Sequence, residues 1–237
     1  MAHTQKRQVV FVYNKTRDFD SRRFKMLSNN FSDMPEDMDT IYDKYAGSLD
    51  FSASYRDTDS YRATQDVTAF YLKQLISVTH DFDIVASVRQ EDSSQQLTDA
   101  AAAYAPLETS DLFPSLGLTY RFYDDDMQLR FAYASSISRP DFREFSNSRY
   151  KDPVTENIVF GNPDLKATYI NHYDLKYEWY MTADELFSFA LFAKEFTNPI
   201  EKVIKLDDSQ DNIFQETYQN ADSAISYGVE IDYRKRF

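Results

Sequence analysis

Strict alternation is the clearest pattern along the chain. In "INHYDLKYEWY" every second residue is large and apolar (Tyr173, Leu175, Tyr177, Trp179), with polar or charged His172, Asp174, Lys176 and Glu178 beside them. The same period runs through "LFPSLGLTYRFY", where Leu112, Pro114, Leu116, Leu118, Tyr120 and Phe122 oppose Ser115, Gly117, Thr119 and Arg121. It returns in "MQLRFAYASSIS" and in "AISYGVEIDYRKRF". A helix turns about 100° per residue and would scatter each set, so the pattern predicts strands. Weaker alternation predicts more at Gln8–Arg17, Tyr61–Gln74, Phe82–Gln95 and Glu185–Thr197. About eight strands result, several longer than the roughly 5–6 residues usual in soluble sheets. Lengths of about 9–11 residues suit a tilted bilayer crossing.

The predicted connections alternate as well. Short turns fall near Ile76–Asp81, Asp124–Asp126 and Thr182–Asp184. Long polar connections fall at Asp20–Ser60, Leu97–Asp111, Asp141–Lys166 and Pro199–Asp222. A soluble β-sandwich has no reason to put every long loop at one end, whereas outer-membrane barrels combine tight periplasmic turns with long extracellular loops. Phe82, Phe122 with Tyr123, and Trp179 with Tyr180 flank the short turns. A girdle at the headgroup boundary would place them there, although strand propensity favours the same residues.

Composition narrows the classes. The 237 residues include 39 Asp+Glu and 26 Lys+Arg, a formal net charge of −13, which argues against a nucleic-acid partner. Nineteen Phe and 18 Tyr argue against disorder. With no Cys there is no disulfide framework, thiolate metal site or cysteine nucleophile. No run approaches the roughly 18 apolar residues of a membrane helix. "MAHTQKRQVVFVYN" is too short and strand-like in its apolar part for a secretory signal. Crossing by strands survives, because barrel strands hide from hydropathy averages.

Catalytic chemistry finds no foothold, so the chain is expected not to be an enzyme, with no catalytic residues, cofactor or metal. His3, His80 and His172 are far apart and lack ligand spacing. No nucleophile, phosphate-loop or dinucleotide motif appears, and four glycines leave little for a phosphate cradle. Asp124–Asp126 reads as a hydrated hairpin turn. Asp207, Asp208 and Asp211 could hold Ca²⁺ in a loop, but lack the Asp/Asn-Gly spacing of a calcium loop.

Two stretches carry a resemblance. "LRFAYASSISRPDFREF" (Leu129–Phe145) and "FGNPDLKATYINHYDLKYEWY" (Phe160–Tyr180) resemble the barrel of a TonB-dependent receptor of the bacterial outer membrane. In that family a strand climbs into an S-R-P-D-F/Y-R-E-L-like corner, and G-N-P-x-L-K-P later opens the descending strand. Here Phe145 stands where Leu is usual, Ala167 where Pro is usual, and His172 precedes "YDL". The later segments "EFTNPIEKVI" and "QNADSAISYGVEIDYRK" fit the next loop and strand in order.

The resemblance implies an all-β, antiparallel up-and-down membrane β-barrel of roughly 22 strands around an N-terminal plug. Neither plug nor TonB box is legible here. The expectation is therefore one partial barrel domain over residues 1–237, about eight strands forming an open curved sheet. The implied function is nutrient uptake of the ferric siderophore, cobalamin or oligosaccharide class, with TonB-derived energy. Implied partners are outer-membrane lipid, a nutrient ligand, the barrel-assembly machinery and, only through the missing plug and box, the TonB complex. Phe237 resembles the terminal aromatic that assembly recognises, though Lys235 departs from that pattern. Candidate ligand contacts on the long loops are Arg139, Arg143, Arg149, Tyr150, Asn162 and Lys166; loop packing is the competing reading. Arg139, Asp141, Arg143 and Glu144 are expected to pair across the loop base, for about 0–1 kcal/mol per exposed pair. Alternatives are a passive porin-like channel, a closed eight-stranded barrel with room only for side chains, and a soluble all-β binding module.

Overall fold

A computed structural model describes residues 4–20, 23–27, 50–54, 60–99, 103–123, 126–152, 157–207 and 213–236. His3, Asp124, Asp125, Asp208, Asp211, Phe237 and most of the 20–60 connection lie outside the described residues. The first strands are β1 (Thr4–Asp20), β2 (Arg23–Leu27), β3 (Asp50–Ser54), β4 (Ser60–Ser77) and β5 (Phe82–Asp99). Next come β6 (Leu107–Phe122), β7 (Met127–Ser138), the one-turn helix α1 (Phe142–Phe145), β8 (Arg149–Lys151) and β9 (Ile158–Phe160). The last are β10 (Thr168–Thr182), β11 (Glu185–Thr197), β12 (Ile200–Asp207), β13 (Ile213–Asn220) and β14 (Ser223–Lys235).

Eight of these form one antiparallel sheet in the order β1-β4-β5-β6-β7-β10-β11-β14. Among the described residues its ends, β1 and β14, do not pair, so the sheet is open and the closed eight-stranded alternative does not hold. The expected short turns connect strands at one end and the long connections leave from the other.

Register carries the two-faced pattern from strand to strand. Leu175 lies opposite Phe131 and Leu191, and Leu191 opposite Val229, on an apolar face. Lys176 lies opposite Arg130 and Ala190, and Ala190 opposite Glu230, on a polar one. Large apolar side chains on the first face are conspicuously bare: Phe70 is 56 % exposed, Leu112 63 % and Tyr227 77 %. Near the turns they meet as rings, with Phe122 between Tyr120 (5.8 Å) and Tyr177 (6.3 Å). On the polar face near the turns, Glu178 is buried and accepts from Gln128 at 2.6 Å, beside Lys176 at 2.9 Å and Arg130 at 3.3 Å. Tyr180 departs from the girdle expectation. Its hydroxyl accepts from Gln128 at 2.9 Å, so it belongs with Glu178 on the polar face, as its parity in β10 requires.

Where they are described, the connections after Leu97, Asp141 and Pro199 are more ordered than expected. Leu97–Asp111 is mostly strand: β5 runs to Asp99 and β6 starts at Leu107. Beyond the apolar zone these strands are polar on their outward side, which conceals them in the sequence, while Leu97 is fully buried on the other side. The ladder between β6 and β7 stops at Ser115↔Ala134, although both strands continue. Pro114 stands next to that last pair, and proline has no N–H to donate.

Candidate functional site

The connections 139–167 and 198–222 together build a lobe at the loop end. They contribute a second sheet in the order β12-β13-β9-β8, with β9 parallel to β13 through Ile158↔Gln215 and Val159↔Glu216. The lobe sits on the polar face of the main sheet. Phe142, Phe145 and Leu165 are buried against Tyr61, Ala63 and Leu97, with Phe19, Tyr104, Leu107, Ile200 and Tyr218 packed around them.

Helix α1 owes its single turn to a capping box. Asp141 accepts from the Arg143 N–H at 3.0 Å, and Glu144 accepts from the Asp141 N–H at 2.8 Å. This satisfies first-turn donors and turns the chain toward the core. The predicted mutual pairing of Arg139, Asp141, Arg143 and Glu144 is corrected here. Asp141 and Glu144 cap the helix, Asp141 faces Lys15 (3.9 Å) and Arg17 (3.7 Å), and the two arginines go elsewhere. The cause is the inward fold of the corner, which brings β1 to it.

Each candidate residue has a definite place. Arg139 is nearly buried, pairs with Glu91 at 2.7 Å and donates to Thr109 at 3.1 Å; Glu91 also holds Arg89. Arg143 lies over the rings of Tyr150 (4.6 Å) and Phe19 (5.7 Å). Arg149 lies over Phe160 at 5.6 Å, its cross-strand partner. Tyr150 also bonds Tyr218, and burial first, then that bond, pushes the Tyr218 phenol above its ordinary range. Asn162 donates to the Tyr218 carbonyl at 3.0 Å and accepts from the Asp164 N–H at 3.0 Å. Lys166 is exposed, and its backbone N–H and C=O both bind the Asn220 side chain.

Arg143, Tyr150, Phe19 and Arg17 thus form one stack of alternating guanidinium and ring, Arg17 lying 5.7 Å from the Phe19 ring. Such contacts contribute about 0.5–1 kcal/mol each when exposed and more when desolvated. Lys202, on β12, is paired with Glu216, and that bond holds its ammonium charged beyond the usual lysine range. Glu216 also accepts from Asn157 at 2.8 Å.

Sequence reading did not assign Tyr218, Asn220 or the Lys15, Arg17 and Phe19 side chains of β1 to the lobe. The D-x-x-E spacing of Asp141–Glu144 was a readable helix signal. Tyr218 and Asn220 carried none, since the partners that tie them to the other connection, Asn162 and Lys166, lie more than fifty residues away. Among the described residues, no group of three or more His, Cys, Asp or Glu is placed to hold a metal ion.

The family model described as TonB dependent receptor-like, beta-barrel matches residues 4–237. No curated protein matches the chain. Among solved structures, one similar fold is a double mutant of the Serratia marcescens hemophore receptor HasR, in complex with its hemophore HasA and heme. It has a TM-score of 0.63 and 11 % identity, covering 98 % of this chain and 40 % of that one. The FrpB iron transporter (F5-1 variant) from Neisseria meningitidis gives 0.55 at 12 % identity, covering 98 % and 32 %. The siderophore receptor PirA from Acinetobacter baumannii gives 0.54 at 15 %, covering 99 % and 35 %. At these identities the likeness is one of fold, and the chain spans less than half the length of each.

Proposed function

This chain belongs to the TonB dependent receptor-like β-barrel family, and from that premise we propose that it is part of an outer-membrane receptor of a Gram-negative bacterium that imports a scarce nutrient with energy from the TonB complex. In this reading the apolar face meets lipid, the polar face meets a wet lumen, and the lobe stands outside the cell. The chain supplies wall and loops for transport, not catalysis. The observation that carries the reading is a two-faced antiparallel sheet whose two described long loops fold together over the polar face. That arrangement suits capture of a ligand better than free passage.

The proposed cargo is an anionic iron chelate of the siderophore class; cobalamin and oligosaccharide are the competing cargoes. PirA and FrpB, which share the fold, are a siderophore receptor and an iron transporter, and the lobe offers guanidinium–ring stacks at Arg143 and Arg149. Planar guanidinium suits flat, oxygen-rich anions. Arg143, Arg149, Tyr150 and Lys166 are the proposed contacts, with Arg139 and Asn162 holding the lobe.

Uptake of radiolabelled ferric chelates by iron-starved cells carrying the full-length receptor, with and without TonB, tests this. Uptake that needs both supports active import, whereas uptake indifferent to TonB makes the protein a passive channel. Arg143→Ala with Arg149→Ala should weaken chelate binding by about tenfold or more; unchanged affinity removes both from the site.

A further inference from the structure

The bases of the two structured loops hold each other through a pair of asparagines. Asn162, in the 139–167 connection, donates Nδ2 to the Tyr218 carbonyl on β13 at 3.0 Å. Asn220, in the 198–222 connection, reaches the opposite way. Its Oδ1 accepts from the Lys166 N–H at 2.8 Å, and its Nδ2 donates to the Lys166 carbonyl at 3.0 Å and to the Asn198 carbonyl at 2.8 Å. Each carboxamide serves the other loop's backbone.

The position of the pair has a physical reason. The parallel ladder between β9 and β13 is short, Ile158↔Gln215 and Val159↔Glu216, and the chain beyond β9 turns through Pro163, which has no N–H to contribute. A carboxamide presents a carbonyl acceptor and two N–H donors, so it can continue the cross-link as a peptide group would. Asn220 uses all three functions: one acceptor bond and two donor bonds.

We propose that Asn162 and Asn220 form a reciprocal clasp that makes the two loops one conformational unit, so that a contact on either loop is transmitted to both. The two asparagines are positioning residues and need not touch cargo. The inference goes beyond the transport assignment and holds whichever cargo is carried.

Amide hydrogen exchange of the full-length receptor in detergent micelles tests it, comparing wild type with Asn162→Ala, Asn220→Ala and both together. Asn220→Ala should speed exchange at residues 165–168 of the opposite loop as well as at 213–220, on the order of tenfold. Asn162→Ala should likewise speed exchange at 216–220. The double variant should add little to either single one, as expected for coupled sites. Gains confined to the mutated residue's own loop, or fully additive gains, overturn the proposal. Asn220→Asp gives a second arm should alanine prevent folding. It keeps the acceptor for Lys166 N–H and loses both donors, so that amide should stay slow. Spin labels at the exposed positions 164 and 204 should then report a broader distance between the loops, and a distribution identical to wild type overturns the clasp equally.

Discussion

Gly161 and Gly228 would both be crowded by a methyl group, for different reasons. At Gly161 an added Cβ would lie within 3.0 Å of the carbonyl oxygens of Arg143, Glu144 and Ser146, all backbone that cannot turn aside. At Gly228 it would meet the far edge of the Phe192 ring at 2.7 Å, which can swing. Gly161→Ala is therefore expected to loosen the lobe by about 2–3 kcal/mol and Gly228→Ala by about 1 kcal/mol or less, read as protease sensitivity within 142–166 and overall melting. Tyr218 gives a pH prediction. Its folded pKa is raised above the ordinary 10 by burial and then by Tyr150. Below pH 10 the phenol is neutral whether the lobe is docked or loose. Above it the loose state gains by ionising first, so docking should weaken as pH rises through and beyond about 10. Tyrosinate absorbance should appear late for Tyr218 compared with a Tyr218→Phe control. Residue-scale detail of this kind was closed to the sequence: nothing in "FGNPDL" announces the carbonyls of Arg143, Glu144 and Ser146 at the distant corner.

Elements differ in legibility for a physical reason. Strand β10 could be read almost to the residue, because two solvents act on it and enforce alternation. Its boundaries, Thr168–Thr182, enclose the alternating stretch Ile170–Tyr180, and His172, Asp174, Lys176 and Glu178 share the polar face as expected. Strand β5 reads short because beyond Val88 its outward side turns polar, and on the far face, where Glu91, Ser93, Gln95 and Leu97 are all buried, only Leu97 is apolar. Strands β8, β9, β12 and β13 sit within connections that look like loops, since each depends on a partner from the other connection or from its own short hairpin. The apolar stretch of β14 from Ile225 to Tyr233 extends about 27 Å along the strand, roughly 20 Å of height at a barrel-like tilt, against a lipid band of about 25 Å. Leu191→Lys, on the same face of β11, should accordingly cost about 2–4 kcal/mol in bilayer-reconstituted receptor. Lys194→Ala, on the opposite face and near the rim, should cost well under that. Equal losses from urea titrations in liposomes would contradict the assignment of faces.

For the molecule as a whole, an open sheet with a bare aromatic face is not a stable object in water. Among the described residues its two outer strands, β1 and β14, each pair on one side only, which offers edges as well as apolar surface. The isolated chain is expected to precipitate in plain buffer and to disperse in detergent; a monodisperse, detergent-free monomer by light scattering would defeat the membrane reading. The interrupted ladder between β6 and β7 also bears on the whole wall. Above Ser115 and Ala134 no ladder pair joins the two strands among the described residues, and side chains reach β6 there instead: Arg139, just past β7, donates to Thr109 at 3.1 Å, and Tyr169 of β10 donates to Asp111 at 3.1 Å. The rim is therefore a seam laced by removable stitches, not a continuous weave. Cutting those stitches would free the upper part of β6 from its neighbours and leave every ladder below it intact.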